Sequence, residues 1–514
     1  MYLTQPLHRN LQQKPKEIAT VCGDRNFTHA ETYERVSRLA GGLQGLGVAA
    51  GDRVAILALN SDRYLQTVYA VAWRGAVIVP VNIRWSAKEI AYSLVEAGVR
   101  VLVVDDAFGP LVGAIRELSP DLDVVIHCGD AATPEGMVAC ESLIAESDPI
   151  EDAHRRGDEL AGIFYTGGTT GFPKGVMLSH RNLCTSGFGA TAAGIAAPGG
   201  TVLHAAPMFH LADFGSTVAN TALGNTHIIV PMFEPVAAMT AIAEHRVTDV
   251  LLVPMMVQVI VDHPRRAEFD LSSIERLTYG GSPMSEAVLI RARAAFPAAK
   301  FIQAYGMTEL APVATVLLDE FHADPVLRRS AGRAAPHTVV KIIDESGGEA
   351  PRGTVGEIVV SGDNVMLGYW NKPEDTAAAV RDGWMHTGDG GYMDENSFVF
   401  IADRIKDMIV SGGENVYSVE VENAVAKHPA VAQCAVIGVP DAQWGERVHA
   451  VIALVPGATL ELDELRTHCK GEIAGYKVPR SLHFVEEFPI SGAGKILKRE
   501  LRKQFEESAA AAVD

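Results

Sequence analysis

Two glycine-rich runs each deliver a lysine. The first is Tyr165-Thr166-Gly167-Gly168-Thr169-Thr170-Gly171-Phe172-Pro173-Lys174-Gly175, directly after the β-rich Gly162-Ile163-Phe164-Tyr165; the second, Phe488-Pro489-Ile490-Ser491-Gly492-Ala493-Gly494-Lys495-Ile496, lies near the C-terminus. Backbone N–H groups converge on a phosphate only where side chains leave room, so glycine clusters suit such loops, and threonine hydroxyls add donors. A Walker loop requires GxxxxGK followed by Ser or Thr, whereas Lys174 follows Pro173 and precedes Gly175, so this is not an ordinary P-loop. A lone Gly/Thr run is more often a turn between strands, but four glycines, three threonines and a lysine together favour phosphate contact. The C-terminal lysine sits in a basic series, Lys495, Lys498, Arg499, Arg502 and Lys503, with the spacing of a solvated helix face. Its Gly492-Ala493-Gly494 lead-in sets Lys495 apart.

The elements that must carry these loops alternate. Arg53 to Leu59, Ala76 to Val81 and Val101 to Asp105 are short β-rich runs, and between them Asp62 to Trp73 and Ala87 to Gly98 have helical spacing. Similar strands recur at Thr226 to Val230, Val250 to Val253 and Leu277 to Gly281, which predicts α/β architecture with parallel or mixed sheets flanked by helices. From Gly332 to about Tyr392 the texture changes to short strands separated by Gly and Asp, predicting a small β-rich subdomain at about 332–400. A boundary is expected at 403–407. Beyond it, a helix over Val419 to His428 and strands over Val431 to Val439 and Val448 to Val455 predict a small mobile α+β C-terminal domain, 408–514, after an N-terminal body, 1–402.

Composition bounds the function. With 514 residues, 48% of them hydrophobic and 21% charged, the chain exceeds what one core sustains and should divide. A formal net charge of -19 argues against a general nucleic-acid binder. The six cysteines are scattered without a CxxC pair, so they read as reduced structural thiols rather than zinc ligands or disulfides. The N-terminus lacks a signal-peptide pattern, and the strongest apolar run, Leu251 to Val261, is too short to span a bilayer. No targeting signal is read at the C-terminus either, and a cytoplasmic enzyme without an integral membrane segment is the expectation. A homodimer is left open.

Taken in order, further segments join the loop: Pro207-Met208-Phe209-His210, Tyr279-Gly280-Gly281-Ser282-Pro283, Ala304-Tyr305-Gly306-Met307-Thr308-Glu309, Gly356-Glu357, Gly368-Tyr369-Trp370, Thr387-Gly388-Asp389, Asp403-Arg404-Ile405-Lys406, Ser411-Gly412-Gly413-Glu414 and Tyr476-Lys477-Val478-Pro479. In this set, from residue 20 to about 503, the chain resembles the acyl-adenylate-forming superfamily of acyl-CoA synthetases, peptide-synthetase adenylation domains and luciferases. The resemblance implies ATP, Mg2+ and CoA: a carboxylate joins the α-phosphorus of ATP, pyrophosphate leaves, and a thiol attacks the acyl-adenylate.

It also implies roles. Thr166, Gly167, Gly168, Thr169, Thr170 and Lys174 would hold phosphates. Tyr305 would stack on adenine, with Gly281 and Ser282 as the opposite wall, and Asp389 and Arg404 would take the ribose. Thr308 would contact the α-phosphate, Glu309 would hold Mg2+, and Lys495 would bridge the acid and the α-phosphate. Lys406 would be the hinge, while His210, Gly412 and Gly413 would line the acyl pocket and thiol tunnel. One departure stands out: family members commonly carry Ser at Gly167, so a hydroxyl donor is missing. Charge-poor segments around Phe209 to Phe214, Met232-Phe233, Val253 to Met256 and Tyr279, with no arginine for a second carboxylate, point to a medium- or long-chain fatty acid. An aryl or cinnamic-type acid and transfer to a carrier-protein thiol are the alternatives. A nucleotide-binding relic is the non-enzyme reading, disfavoured by the joint presence of Lys174, Glu309, Asp389 and Lys495.

Overall fold

Local signals account for the helices that border the first sheet. Ser61 accepts from the Tyr64 N–H and starts Asp62–Trp73, while Ser86 and Glu89 form a reciprocal capping box at Ala87–Ala97, which ends on Gly98 with φ +65°. Both helices stand where the sequence places them. The first is buried along its whole length, because it lies between layers rather than on the surface. Its polar residues are therefore paired. Asp62 takes Arg25 at 2.7 Å and Arg63 takes Glu141 at 2.8 Å.

The computed structural model describes residues 1–166, 173–282, 284–404, 407–411, 414–441, 444–491 and 496–511. Two large sheets form the body. One has the order Arg333–Ala334, Val313–Leu317, Lys300–Gly306, Arg276–Gly280, Asp249–Leu252, Thr201–His204, Thr226–Ile229, Ile18–Cys22, Arg25–Thr28. Its strands from Lys300–Gly306 to Ile18–Cys22 run parallel. The other has the order Gly368–Tyr369, Lys174–Ser179, Leu160–Thr166, Val77–Pro80, Arg53–Leu57, Val101–Val104, Val124–His127, Val138–Ala139. It is parallel from Leu160–Thr166 onward. The apolar run after Leu251 divides between a strand and a helix, because Pro254 begins Pro254–Val261 at a position where its missing N–H costs nothing.

The expected β-rich subdomain is an antiparallel five-stranded sheet of Val339–Ile343, Gly356–Ser361, Trp384–Met393, Val380–Arg381 and Val399–Arg404. One strand within that span behaves otherwise: Gly368–Tyr369 returns to the body and pairs with Lys174–Ser179.

The C-terminal sheet comprises Glu414–Val416, Ile409–Ser411, Gly445–Leu454, Val431–Asp441 and Ser481–Phe484. It is covered by Ser418–Val425, Leu462–Lys470 and Lys498–Ala511. Its two apolar clusters draw only on residues from Ile409 onward, whereas the body clusters draw on residues up to Ile401. The basic series near Lys495 is not a uniform solvated face. Lys498 is largely sequestered against Glu422 at 2.7 Å and Arg502 reaches Asp407 at 2.9 Å, while Arg499 stays exposed. All six cysteines are free, five of them buried. Among the described residues no helix is long and apolar enough to cross a membrane.

Candidate active site

The carboxyl ends of adjacent parallel strands are where open α/β sheets take ligands. Here Arg276–Gly280 runs into Gly281 and Ser282, and Lys300–Gly306 runs into Met307, Thr308 and Glu309, the two strands being paired in register through Gly280 and Ala304. Packing dictates glycine at both exits. A β-carbon on Gly280 would lie 2.2 Å from the Ala304 carbonyl oxygen, and one on Gly306 would lie 1.8 Å from that of Pro312.

Tyr305 and Asp389, from different sheets, meet directly. The Tyr305 hydroxyl donates to Asp389 Oδ2 at 2.7 Å. The turn carrying Asp389 is tied down as well: Thr387 Oγ1 donates to the Ile358 carbonyl and accepts from the Asp389 N–H, and Glu357 takes both His386 and the Gly388 N–H. Arg404 stands opposite Asp389 in the neighbouring strand, so the backbone brings these two positions together; the Arg404 side chain lies outside the described residues.

Glu309 is only 6% exposed. Its Oε1 accepts from the Tyr369 hydroxyl at 2.9 Å, and burial, then the Glu309 charge, push the Tyr369 phenol up. Above the same tyrosine ring lies Lys174, its Nζ 5.1 Å from the centroid and 2.9 Å from Asp375 Oδ1. One aromatic side chain therefore touches both the loop lysine and the buried carboxylate. Residues 364–370 make this possible by bridging the two large sheets. Asn364 Nδ2 donates to the Leu310 and Val313 carbonyls, and the Met366 N–H donates to that of Glu309. The Leu367 and Trp370 N–H groups then donate to the carbonyls of Met177 and Gly175.

Thr166 closes its strand opposite Lys174, which fixes both ends of the glycine-rich loop. Beside it the Tyr165 hydroxyl donates to Glu96, and Trp370 Nε1 donates to the Glu96 carbonyl. His210 precedes the helix Leu211–Leu223 and packs on Phe209 with 4.3 Å between ring centroids. That helix is pinned by Asp213, whose Oδ2 meets His204 Nδ1 at 2.7 Å in the buried interior. Thr308 is half-buried beside Glu309. Gly167, Gly168, Thr169, Thr170, Lys406, Gly412, Gly413 and Lys495 lie outside the described residues. Just upstream of Lys495, the Ser491 carbonyl accepts from Arg84 Nη1 of the body at 3.1 Å.

The arrangement unites a lysine at the end of a glycine-rich loop, a sequestered carboxylate suited to a hard cation, and an aromatic–carboxylate pair suited to a nucleoside. The residue types agree with a model of AMP-binding enzymes that matches residues 7–370, and with one of the C-terminal domain of AMP-binding enzymes that matches residues 420–495. The chain belongs to the AMP-binding enzyme family. Within that family it is 40% identical over 97% of its length to a feruloyl-CoA synthase of an Amycolatopsis species, 98% of which is covered. It is 35% identical over 98% of its length to a fatty acid–[acyl-carrier-protein] ligase of Streptomyces coeruleorubidus, 96% covered. Among solved AMP-binding structures, ATP-bound MatB of Rhodopseudomonas palustris superposes with a TM-score of 0.89 at 30% identity, over 98% of this chain and 99% of that one.

Tyr369 and Asp375 had no role assigned from sequence. The Gly368-Tyr369-Trp370 motif was the available signal for the tyrosine. For Asp375 there was none, because its partner, Lys174, lies far away along the chain.

Proposed function

We propose that this AMP-forming acid–CoA ligase activates an arylpropenoic acid of the ferulic or cinnamic type. The observation that carries the acid is the 40% identity with a feruloyl-CoA synthase over 97% of the chain. The strand ends support a monocarboxylic acid: Val253, Pro254, Met255, Gly280, Gly281, Gly306 and Met307 present no cation for a second carboxylate. Two wall positions inferred from sequence contribute less. Tyr279 is packed in the core with its hydroxyl 3.0 Å from His322 Nε2, and Met232 is 57% exposed. A fatty acid is the second reading, favoured by the fatty acid–[acyl-carrier-protein] ligase relative.

In this reading ATP enters at the strand ends. Tyr305 faces adenine across Gly281 and Ser282. Asp389, already oriented by the Tyr305 hydroxyl, accepts ribose hydroxyls with its remaining lone pairs while Arg404 supports them. The β- and γ-phosphates replace Asp375 as the partner of Lys174, with Thr166, Gly167, Gly168, Thr169 and Thr170 donating around them. Glu309, buried and hydrogen-bonded, fits as the oxygen ligand of Mg2+, which when bound offsets phosphate charge. Lys495 bridges the incoming carboxylate and the α-phosphate, and Thr308 contacts the latter.

The acid's carboxylate oxygen forms a bond to the α-phosphorus as the bond to the β-phosphate bridging oxygen breaks, and pyrophosphate leaves. Residues 403–407, with Lys406 as pivot, then rotate the domain 408–514 against the body 1–402. Gly412 and Gly413 admit the pantetheine arm beside His210. The thiolate, in equilibrium with a thiol of pKa about 8.5, attacks the acyl carbon and AMP leaves.

A panel of ferulic, cinnamic, dodecanoic and hexadecanoic acids, assayed for pyrophosphate release and CoA consumption, tests the reading. Arylpropenoic acids should exceed the saturated acids in kcat/KM by at least about tenfold, the scale of a pocket difference of about 1–3 kcal/mol. Preference for the saturated acids would transfer the proposal to the fatty-acid reading.

A further inference from the structure

We propose that the body carries a second metal site, for a zinc-type divalent transition ion, formed by His8, Asp152 and His154. These residues lie on the N-terminal helix Gln5–Gln13 and on the segment that leads into Leu160–Thr166, apart from the strand ends that hold Glu309. Each offers one donor atom, and the three donors lie within 4.8 Å of one another. Asp152 is the fixed member, its side chain 1% exposed and its Oδ2 2.8 Å from His8 Nε2. His154 is the movable one, its side chain 56% exposed and its Nε2 3.9 Å from the same oxygen.

Tetrahedral zinc, with bonds of about 2.0–2.1 Å, sets its donors about 3.3 Å apart. The two separations from Asp152, 2.8 and 3.9 Å, bracket that value and the third is within 4.8 Å, so the triangle forms when His8 draws back slightly and the exposed His154 imidazole rotates inward. Two imidazoles and one carboxylate select zinc, cobalt or nickel over the hard Mg2+.

The surroundings support a ligand role. Tyr33 Oη lies 3.2 Å from His8 Nδ1. As acceptor it would hold the proton there and leave Nε2 free for the metal. Trp73 stacks on the His8 ring at 4.9 Å and Tyr2 packs edge-on against His154 at 5.3 Å, so both rings have apolar walls. His154 itself has φ +49°, and its N–H donates to Asp152 Oδ1 at 2.9 Å. Such a left-handed conformation is uncommon outside glycine. It returns the imidazole over the carboxylate two residues before it. Thr4 Oγ1, at 2.5 Å from Asp152 Oδ2, is the donor an ion would displace or share. A bound ion would clasp the N-terminal helix to the segment that feeds the phosphate-loop strand.

The test uses full-length protein with excess Mg2+, so that a hard-cation site does not compete, and Zn2+ and Co2+ as probes. Equilibrium dialysis should find one Zn2+ equivalent in the wild type that His154→Asn lacks, with affinity down at least about 100-fold, beyond the loss from removing a supporting hydrogen bond. Asparagine tolerates the left-handed backbone, so this exposed variant keeps its fold. Tyr33→Phe should weaken binding about tenfold. Co2+ should give the intense visible bands of a tetrahedral ion in the wild type and not in His154→Asn. Zn2+ should raise Tm for the wild type alone. Equal Zn2+ stoichiometry in wild type and His154→Asn, or no binding at micromolar zinc, would overturn the site and leave the three residues as a hydrogen-bonded clasp.

Discussion

The groups of the body proposed to face the nucleotide and the groups that join the C-terminal domain to it are held in different ways. Asp389 and Glu309 are each fixed by a tyrosine from another element, and residues 364–370 lock the two large sheets behind them. Between the body and the C-terminal domain, by contrast, the described hydrogen bond lies at the surface, from Arg84 to the Ser491 carbonyl, while a buried one, from the Ser418 N–H to Asp403 Oδ2, ties that domain to the connecting segment 403–407. A polar contact near solvent, such as that of Arg84, contributes roughly 0–1 kcal/mol and exchanges readily with water. A site that must bind one nucleotide geometry benefits from the first arrangement. A domain that takes two orientations, as proposed for this one, would need the second.

The comparison can be broken first at Glu309. Glu309→Gln should lower ATP–pyrophosphate exchange by about 100- to 1000-fold, the scale of losing one major charge-stabilising group, with Tm unchanged. Exchange within threefold of wild type would remove the metal role. Next comes the C-terminal domain's own integrity. Lys498→Met strips the partner from Glu422, whose Oε1 also accepts from the Val436 N–H. That loss should destabilise the domain by about 3 kcal/mol, the lower end for buried pairs. Calorimetry should show its transition falling while ATP binding to the body persists; a single shared transition would mean the two regions unfold as one.

A smaller effect is expected at Tyr369. Tyr369→Phe keeps the ring under Lys174 but removes the hydrogen bond to Glu309, and should cost about tenfold in kcat/KM for ATP with a raised Mg2+ requirement. An unchanged Mg2+ dependence would uncouple the two. The smallest concerns Asp375, which is partly exposed. Asp375→Asn frees Lys174 from its competing partner and should lower the KM for ATP about threefold, as suits an exposed pair worth less than about 1 kcal/mol. A rise in KM would make Asp375 a contributor to binding instead.

What could be read from the chain divides along the same line as local and distant contacts. Asp62–Trp73 and Ala87–Ala97 were legible because serine caps and apolar spacing lie within one or two turns. The order of glycine-rich motifs likewise carried the family, since each is a short string. Three things were hidden: the return of Gly368–Tyr369 to the body sheet, the joint contact of Tyr369 with Lys174 and Glu309, and the sequestration of Lys498 inside an apparently solvated basic series. Each depends on a partner far away in sequence, which neither periodicity nor composition records.

The central claim is that a fixed body site and a movable lysine serve one half-reaction together and part in the next. Separate assays of Lys495→Ala test it most directly. Acyl-adenylate formation should fall by at least about 100-fold, while thioester formation from supplied acyl-AMP and CoA stays within a few-fold of wild type. Equal loss of both half-reactions would contradict the account.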